Sequence, residues 1–222
     1  HIVCGGDMVS SDLIDRYNVI LGRKNGGASF LPGYGLTECG GACILVDEDR
    51  DDIPEGCVGK PVNGLEMCLV EPGTTKVIPD NEEGELCLLG GSIMTGYYKN
   101  EKATADVMRK HKDGRIWLHT GDIVTFDEGR NIIFRSRCKR MVKINGYNVY
   151  PTIIENTMEK SPVVSEVCAV SVPWKTDKKM KLYVTLADSA ADRKKAEAEI
   201  MAFAKENLNH WECPLAVSVI DE

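Results

Sequence analysis

Long hydrophobic runs are missing from this chain. No apolar stretch approaches the roughly 18–20 residues needed to span a bilayer, and no signal peptide opens it. Excess positive charge is missing too. Lys and Arg number 27 against 34 Asp and Glu, a net charge of −7, which makes nucleic acid a poor partner because phosphate backbones demand clustered basic excess. Cysteine is plentiful at nine residues, yet paired motifs are absent. None forms C-x-x-C, and the C-x-x-x-C of Cys39 and Cys43 lacks a second half or a nearby His. An odd, scattered set reads as reduced, buried thiols in a cytoplasmic protein rather than as a disulfide frame or a zinc site. An initiator Met is absent as well. His1-Ile2-Val3-Cys4 reads as a strand entered midway, and "LAVSVIDE" as a final strand with nothing after it, so the expectation is a piece of a longer protein.

What is present is soluble globular material, 43% hydrophobic and 27% charged over 222 residues, enough for one large or two small domains. Three textures follow one another. Residues 2–5 predict a strand, Ser10 or Ser11 caps a short helix with Leu13, Ile14 and Tyr17 on one face, and "SFLPGYG" predicts a second strand breaking at Pro32-Gly33. The acidic run at 46–56 reads as a solvated loop. From 57 to 134, short β runs separated by turns at Pro79-Asp80-Asn81 and Asp127-Glu128-Gly129-Arg130 fit a small β-barrel or sheet subdomain, with a short helix over 100–110. After Arg137 come a hairpin turning at Asn145-Gly146, a helix opened by Pro151, two strands, an amphipathic helix carrying Ala196, Ile200, Phe203 and Leu208 on one stripe, and a strand at 216–220.

Three blocks carry chemistry. In "GYGLTE" (33–38), Tyr34 offers a flat face, Thr37 a hydroxyl and Glu38 a carboxylate, a set suited to a nucleotide with Mg²⁺ and equally to a polar surface corner. In "WLHTGDIV" (117–124), Gly121 ends an apolar strand and Asp122 projects from the turn, either as an acceptor for ribose hydroxyls or as an ordinary turn aspartate. In "FRSRCKRMVKINGYNVYPTIIE" (134–155), five basic residues from Arg135 to Lys143 crowd the boundary between two textures, a solvated linker or a hinge. "GRKNGGAS" (22–29) lacks the P-loop pattern and reads as a surface turn. The lysines of "KTDKKMK" (175–181) read as a solvated turn more readily than as a phosphate contact.

Together with "GELCLLGGSIMTGYYKN" and "LNHWECP", the order of these blocks resembles the adenylate-forming superfamily across essentially the whole chain. "GYGLTEC" and "GYNVYPTIIE" look most like fatty-acyl-CoA ligases. The resemblance implies an α/β piece and a β-barrel remnant of a large AMP-binding domain over 1–136, a hinge over 137–140, and a small α+β lid domain over 141–222. It implies ATP/AMP, Mg²⁺ and coenzyme A as ligands and a medium- or long-chain fatty acid as the carboxylic acid, with peripheral membrane contact left open. Gly5 and Gly6 would match the turn near adenine, Tyr34 would stack on the base, Thr37 would bind the α-phosphate and Glu38 the metal. Asp122 would bind the ribose hydroxyls, Arg137 would reach the ribose or phosphate, Lys139 would be the hinge, and Lys143 and Gly146 would serve thioester formation. The family's phosphate loop would precede His1 and its catalytic lysine would follow Glu222, so the expectation is an inactive fragment. Two alternatives remain: a ligase loading a carrier-protein thiol, and a nucleotide-binding module without catalysis.

Overall fold

The computed structural model describes residues 1–50, 52–188 and 192–221. The chain divides into two compact units, His1–Cys138 and Lys139–Glu222. Among the described residues, no helix is long and apolar enough to cross a membrane.

The first unit opens with strand β1 (Ile2–Cys4) and helix α1 (Ser11–Ile20). The Ser10 hydroxyl accepts from Leu13 N at the helix start, satisfying one amide that the first turn leaves without an intrahelical partner. Ile14 turns inward and is buried, while Tyr17 stays partly exposed and stacks on Phe30. Strand β2 (Phe30–Leu36) pairs parallel to β1 and antiparallel to β3 (Gly41–Leu45). The expected break at Pro32-Gly33 is not there: β2 runs through both glycines of "GYG". Their role is close approach rather than turning. A Cβ on Gly33 would sit 2.6 Å from Val3 Cγ1, and one on Gly35 would sit 2.2 Å from Gly41 O.

Strands β4 (Cys57–Pro61), β5 (Leu65–Val70), β6 (Gly84–Gly90), β7 (Met108–Lys110), β8 (Ile116–Phe126) and β9 (Ile132–Arg137) complete a nine-stranded sheet ordered β1-β2-β3-β4-β9-β8-β6-β5, with β7 beside β8. Of the two forms expected over 57–134, barrel or sheet, a sheet is seen, with no closed barrel among the described residues. The path is open, because closure requires the two end strands to pair and β1 and β5 do not. Helix α2 (Glu101–Val107), capped by Asn100 through Ala103 N, ends before Met108 instead of reaching residue 110. The turn at 127–130 forms as expected: Asp127 N donates to Asn131 O, and Arg130 adopts φ 60°. One sheet face packs Leu69, Leu86, Leu88, Leu118 and Val124 into the main core. The other face carries a smaller cluster of Val70, Cys87 and Trp117.

The second unit has its own core. Strands β10 (Val142–Ile144) and β11 (Tyr147–Val149) form the expected hairpin, with Asn145 at φ 49° and Gly146 at φ 85°, the positive pair that a tight two-residue turn demands. Helix α3 (Pro151–Met158) buries Ile154 and Met158 completely, each side chain contributing about 1.5–3 kcal/mol by leaving water. Strands β12 (Val164–Trp174), β13 (Asp177–Leu186) and β14 (Ala216–Val219) form a three-stranded sheet beside helix α4 (Arg193–Asn207). Ala196 and Ile200 of the expected stripe are buried, while Phe203 and Leu208 pack at its margin. The "KTDKKMK" segment is strand from Asp177 onward, with Met180 buried between lysines, so the expected turn is confined to Lys175-Thr176.

Candidate active site

Asp122 is the most constrained charged residue of the first unit. It lies inside β8, not on a turn after it, and has no exposed surface. The strand continues through Gly121 because glycine tolerates φ 72° there. Between the pairs Cys87–His119 and Glu85–Ile123, three residues of β8 face Leu86 alone. Thr120-Gly121-Asp122 is therefore a bulge, a device that re-aims side chains within a ladder. Two anchors hold it: Thr120 Oγ1 donates to Leu86 O at 2.9 Å, and Gly121 N donates to Glu85 Oε1 at 3.2 Å.

The Asp122 carboxylate meets two partners. Tyr34 OH donates to Oδ2 at 2.5 Å, and Arg137, its register partner on β9, brings Nε to 3.0 Å from Oδ1. The arginine contact is an ion pair without hydrogen-bond alignment, so Oδ1 is buried and accepts no hydrogen bond. Burial pushes the Asp122 carboxyl upward, against the pull of the Tyr34 hydrogen bond and of Arg137. Burial also pushes the Tyr34 phenol far up, and the charge of Asp122 adds to it, so this hydroxyl remains a donor. Arg137 keeps over half of its side chain exposed.

Beyond β2, Thr37 and Glu38 enter a single 3₁₀ turn closed by Gly40 N to Thr37 O. They line a cleft of about 330 Å³ together with Tyr97, Leu118, His119 and Arg137. Tyr97 OH donates to Glu38 Oε1 at 2.5 Å, and Met94 N donates to the Glu38 backbone carbonyl, so the residue is held at both its side chain and its main chain. Glu38 is half-buried and Thr37 exposed. Oxygen donors of this kind suit Mg²⁺, which takes one or two carboxylates beside phosphate and water.

The structure brings Thr37, Glu38 and Arg137 to one cleft and ties Tyr34 and Asp122 to it through Arg137. Gly5 and Gly6 stand at the end of β1, outside that lining. Gly5 lies against Gly33 O, where a Cβ would approach to 2.4 Å, and Gly6 takes φ 103°. Lys139, Lys143 and Gly146 belong to the second unit and are all exposed there. Sequence reasoning missed Tyr97, Glu85 and His119. Tyr97 and His119 sit inside quoted motifs, but nothing local signals that one reaches Glu38 and the other turns its buried ring to Glu85 and His111.

Fold and site define a mixed α/β protein whose cleft combines a carboxylate turn with an exposed arginine paired to a buried aspartate. The AMP-binding enzyme family matches residues 1–98, and the AMP-binding enzyme C-terminal domain matches residues 153–222. A long-chain-fatty-acid–CoA ligase of Salmonella typhimurium is 34% identical over 224 residues, covering all of this chain and 37% of that protein. A 4-coumarate–CoA ligase of Vanilla planifolia is 33% identical over 174 residues, covering 77% of this chain and 30% of its own length. Among solved structures, ATP-bound MatB from Rhodopseudomonas palustris superposes with a TM-score of 0.81 at 25% identity, covering 99% of this chain and 41% of that one. The chain thus spans between 30% and 41% of the length of these relatives. It belongs to the adenylate-forming, AMP-binding enzyme family.

Proposed function

We propose that this chain is part of an ATP-dependent acid–thiol ligase, which joins a carboxylic acid to AMP and passes the acyl group to coenzyme A. The observation that carries the reading is the buried Asp122 oxygen that accepts no hydrogen bond, set beside an exposed guanidinium. Once the exposed Arg137 side chain swings off that oxygen, a nucleotide's ribose hydroxyl supplies the missing donor, and its phosphates suit the freed guanidinium. Tyr34 presents its ring to the base, and Thr37 donates to the α-phosphate. Glu38, held by Tyr97, takes the Mg²⁺, which when bound supplies charge neutralisation for the phosphates. Gly5 and Gly6 line the approach to the base. In the second unit, Lys139 acts as the hinge, Lys143 assists thioester formation, and Gly146 admits the pantetheine arm.

A medium- or long-chain fatty acid is the proposed acid, supported by the 34% relative that matches the whole chain. The test is ATP–pyrophosphate exchange and thioester formation by the full-length protein over a panel of fatty and aromatic acids. Exchange with fatty acids, lost in Asp122→Ala and shifted to higher Mg²⁺ in Glu38→Gln, supports the reading. Unchanged exchange in Asp122→Ala overturns the ribose role, and transfer to a carrier-protein thiol in preference to coenzyme A overturns the acceptor. The 222 residues alone are expected to show little exchange, because they span 37% of that relative's length.

A further inference from the structure

On the minor face of the sheet, a row of soft donors crosses three strands. Cys87 on β6 stands opposite His119 on β8, and Cys68 on β5 stands opposite Cys87. The hairpin between β7 and β8 folds His111 over the same face, its backbone tied by His111 N to Arg115 O and its ring stacked on Trp117 at 5.5 Å. Cys87, His111 and His119 are all buried, and one ligand-type atom from each lies within 4.8 Å of the other two.

The two imidazoles meet through their Nε2 atoms at 3.0 Å. A tetrahedral centre with bonds of about 2.0–2.3 Å needs donor atoms roughly 3.3–3.7 Å apart, so a shift of a few tenths of an ångström opens the pair onto a metal ion. Behind His119, its Nδ1 faces Glu85 Oε2 at 3.3 Å. Glu85 is itself buried and holds Gly73 N and Gly121 N. A carboxylate behind a ligating histidine selects the tautomer whose other nitrogen is free to bind. Without a metal, one Nε2 must donate to the other, and neither His111 Nδ1 nor His119 Nδ1 has an aligned hydrogen bond, the latter meeting Glu85 only as a charge contact. Such an arrangement is costly for a neutral core.

The geometry points to a transition-metal site of the Zn²⁺ class at Cys87, His111 and His119, oriented by Glu85, with Cys68 next in the row. Thiolate and imidazole together select Zn²⁺ over the oxygen-seeking Mg²⁺ of the nucleotide cleft. Its place ties β6, β8 and the hairpin before β8 at the point from which the Asp122 bulge departs. The site does not depend on the ligase reading.

The test uses the full chain with the metal alone. Purified from zinc-supplemented culture and passed over a chelating resin, it is expected to retain about one zinc per chain by mass spectrometry. With Co²⁺ in place of Zn²⁺ it should show a thiolate-to-metal absorption band and the strong visible bands of a four-coordinate centre. Cys87→Ser should remove the thiolate band, His111→Ala should weaken Co²⁺ binding more than tenfold, and Glu85→Gln should weaken it 10–100-fold. If a variant does not fold, the wild-type cobalt spectrum still decides. Less than a tenth of a zinc per chain together with no thiolate band in the wild-type protein overturns the site.

Discussion

Tyr34 and Asp122, 88 residues apart in sequence, are joined by a 2.5 Å hydrogen bond from the phenol to a carboxylate with no exposed surface. The bond links β2 to the bulge of β8 and removes from water a charge that burial disfavours. Tyr34→Phe takes away the donor and leaves the oxygen buried, which should cost about 1–3 kcal/mol. Asp122→Asn keeps an acceptor and removes the charge, so its cost should be smaller. Urea unfolding midpoints at constant slope measure both, and the double variant gives the coupling. Equal midpoints for Tyr34→Phe and the parent protein would show the bond contributes nothing.

Gly35 has no positive φ, so the reason for glycine there is space alone. An added Cβ would fall 2.2 Å from Gly41 O and 2.7 Å from Ala42 Cα, both backbone. Gly35→Ala should therefore force β2 and β3 apart and destabilise the first unit by more than about 2 kcal/mol. Circular dichroism melts check this, and a neutral substitution would contradict the close approach.

Asp127 offers a pH dependence with a defined sign. Burial raises its carboxyl, but the amide and side chain of Asn131 and the guanidinium of Arg50 outweigh burial and hold it below the usual range. The stabilisation is complete above the unfolded value of about 3.9 and disappears as pH falls through the folded value. Asp127→Asn should lower the unfolding midpoint at pH 7, and the gap should narrow as pH falls below about 3.9. A gap that persists unchanged at pH 2 would rule out the ionised carboxylate as its source.

Tyr97 holds Glu38 with a single hydrogen bond at the cleft. Tyr97→Phe in the full-length protein should free that carboxylate and raise the Mg²⁺ needed for half-maximal exchange several-fold, with little change in stability, because Tyr97 is only partly buried. Magnesium titrations of exchange rate, set beside a thermal melt, separate the two effects.

Local chemistry was legible and register was not. Asn145-Gly146 announced its hairpin because few residues accept two consecutive positive φ values, and Ser10 announced a helix start because its hydroxyl has a specific amide to satisfy. Thr37, Glu38, Asp122 and Arg137 were legible as a set through their order along the chain. Gly33 and Gly35 misled, because a glycine that turns and a glycine that lets two strands approach look alike in one dimension. Gly121 misled similarly: positive φ inside a ladder makes a bulge, and only the pairing with β6 shows that β8 continues. Strand spacing over 57–134 left barrel and sheet open, because it does not say whether end strands meet. Cys87 was read among scattered cysteines and His111 and His119 were not singled out, since what unites the three is the alignment of β6 with β8 and a hairpin folded over both.

The bulge at Thr120-Gly121-Asp122 also sets the phase of β8. Two residues beyond the number that Leu86 can face are inserted, an even count, so alternation survives: Leu118 before the bulge and Val124 after it enter the same core. Deleting one residue from the triplet would invert the strand downstream and turn Val124 to the opposite face. Deleting two would restore a plain ladder with β6 and keep Leu118 and Val124 on one face, while erasing the position from which a buried acid reaches both Tyr34 and Arg137. The insertion is neutral for the sheet and decisive for the cleft.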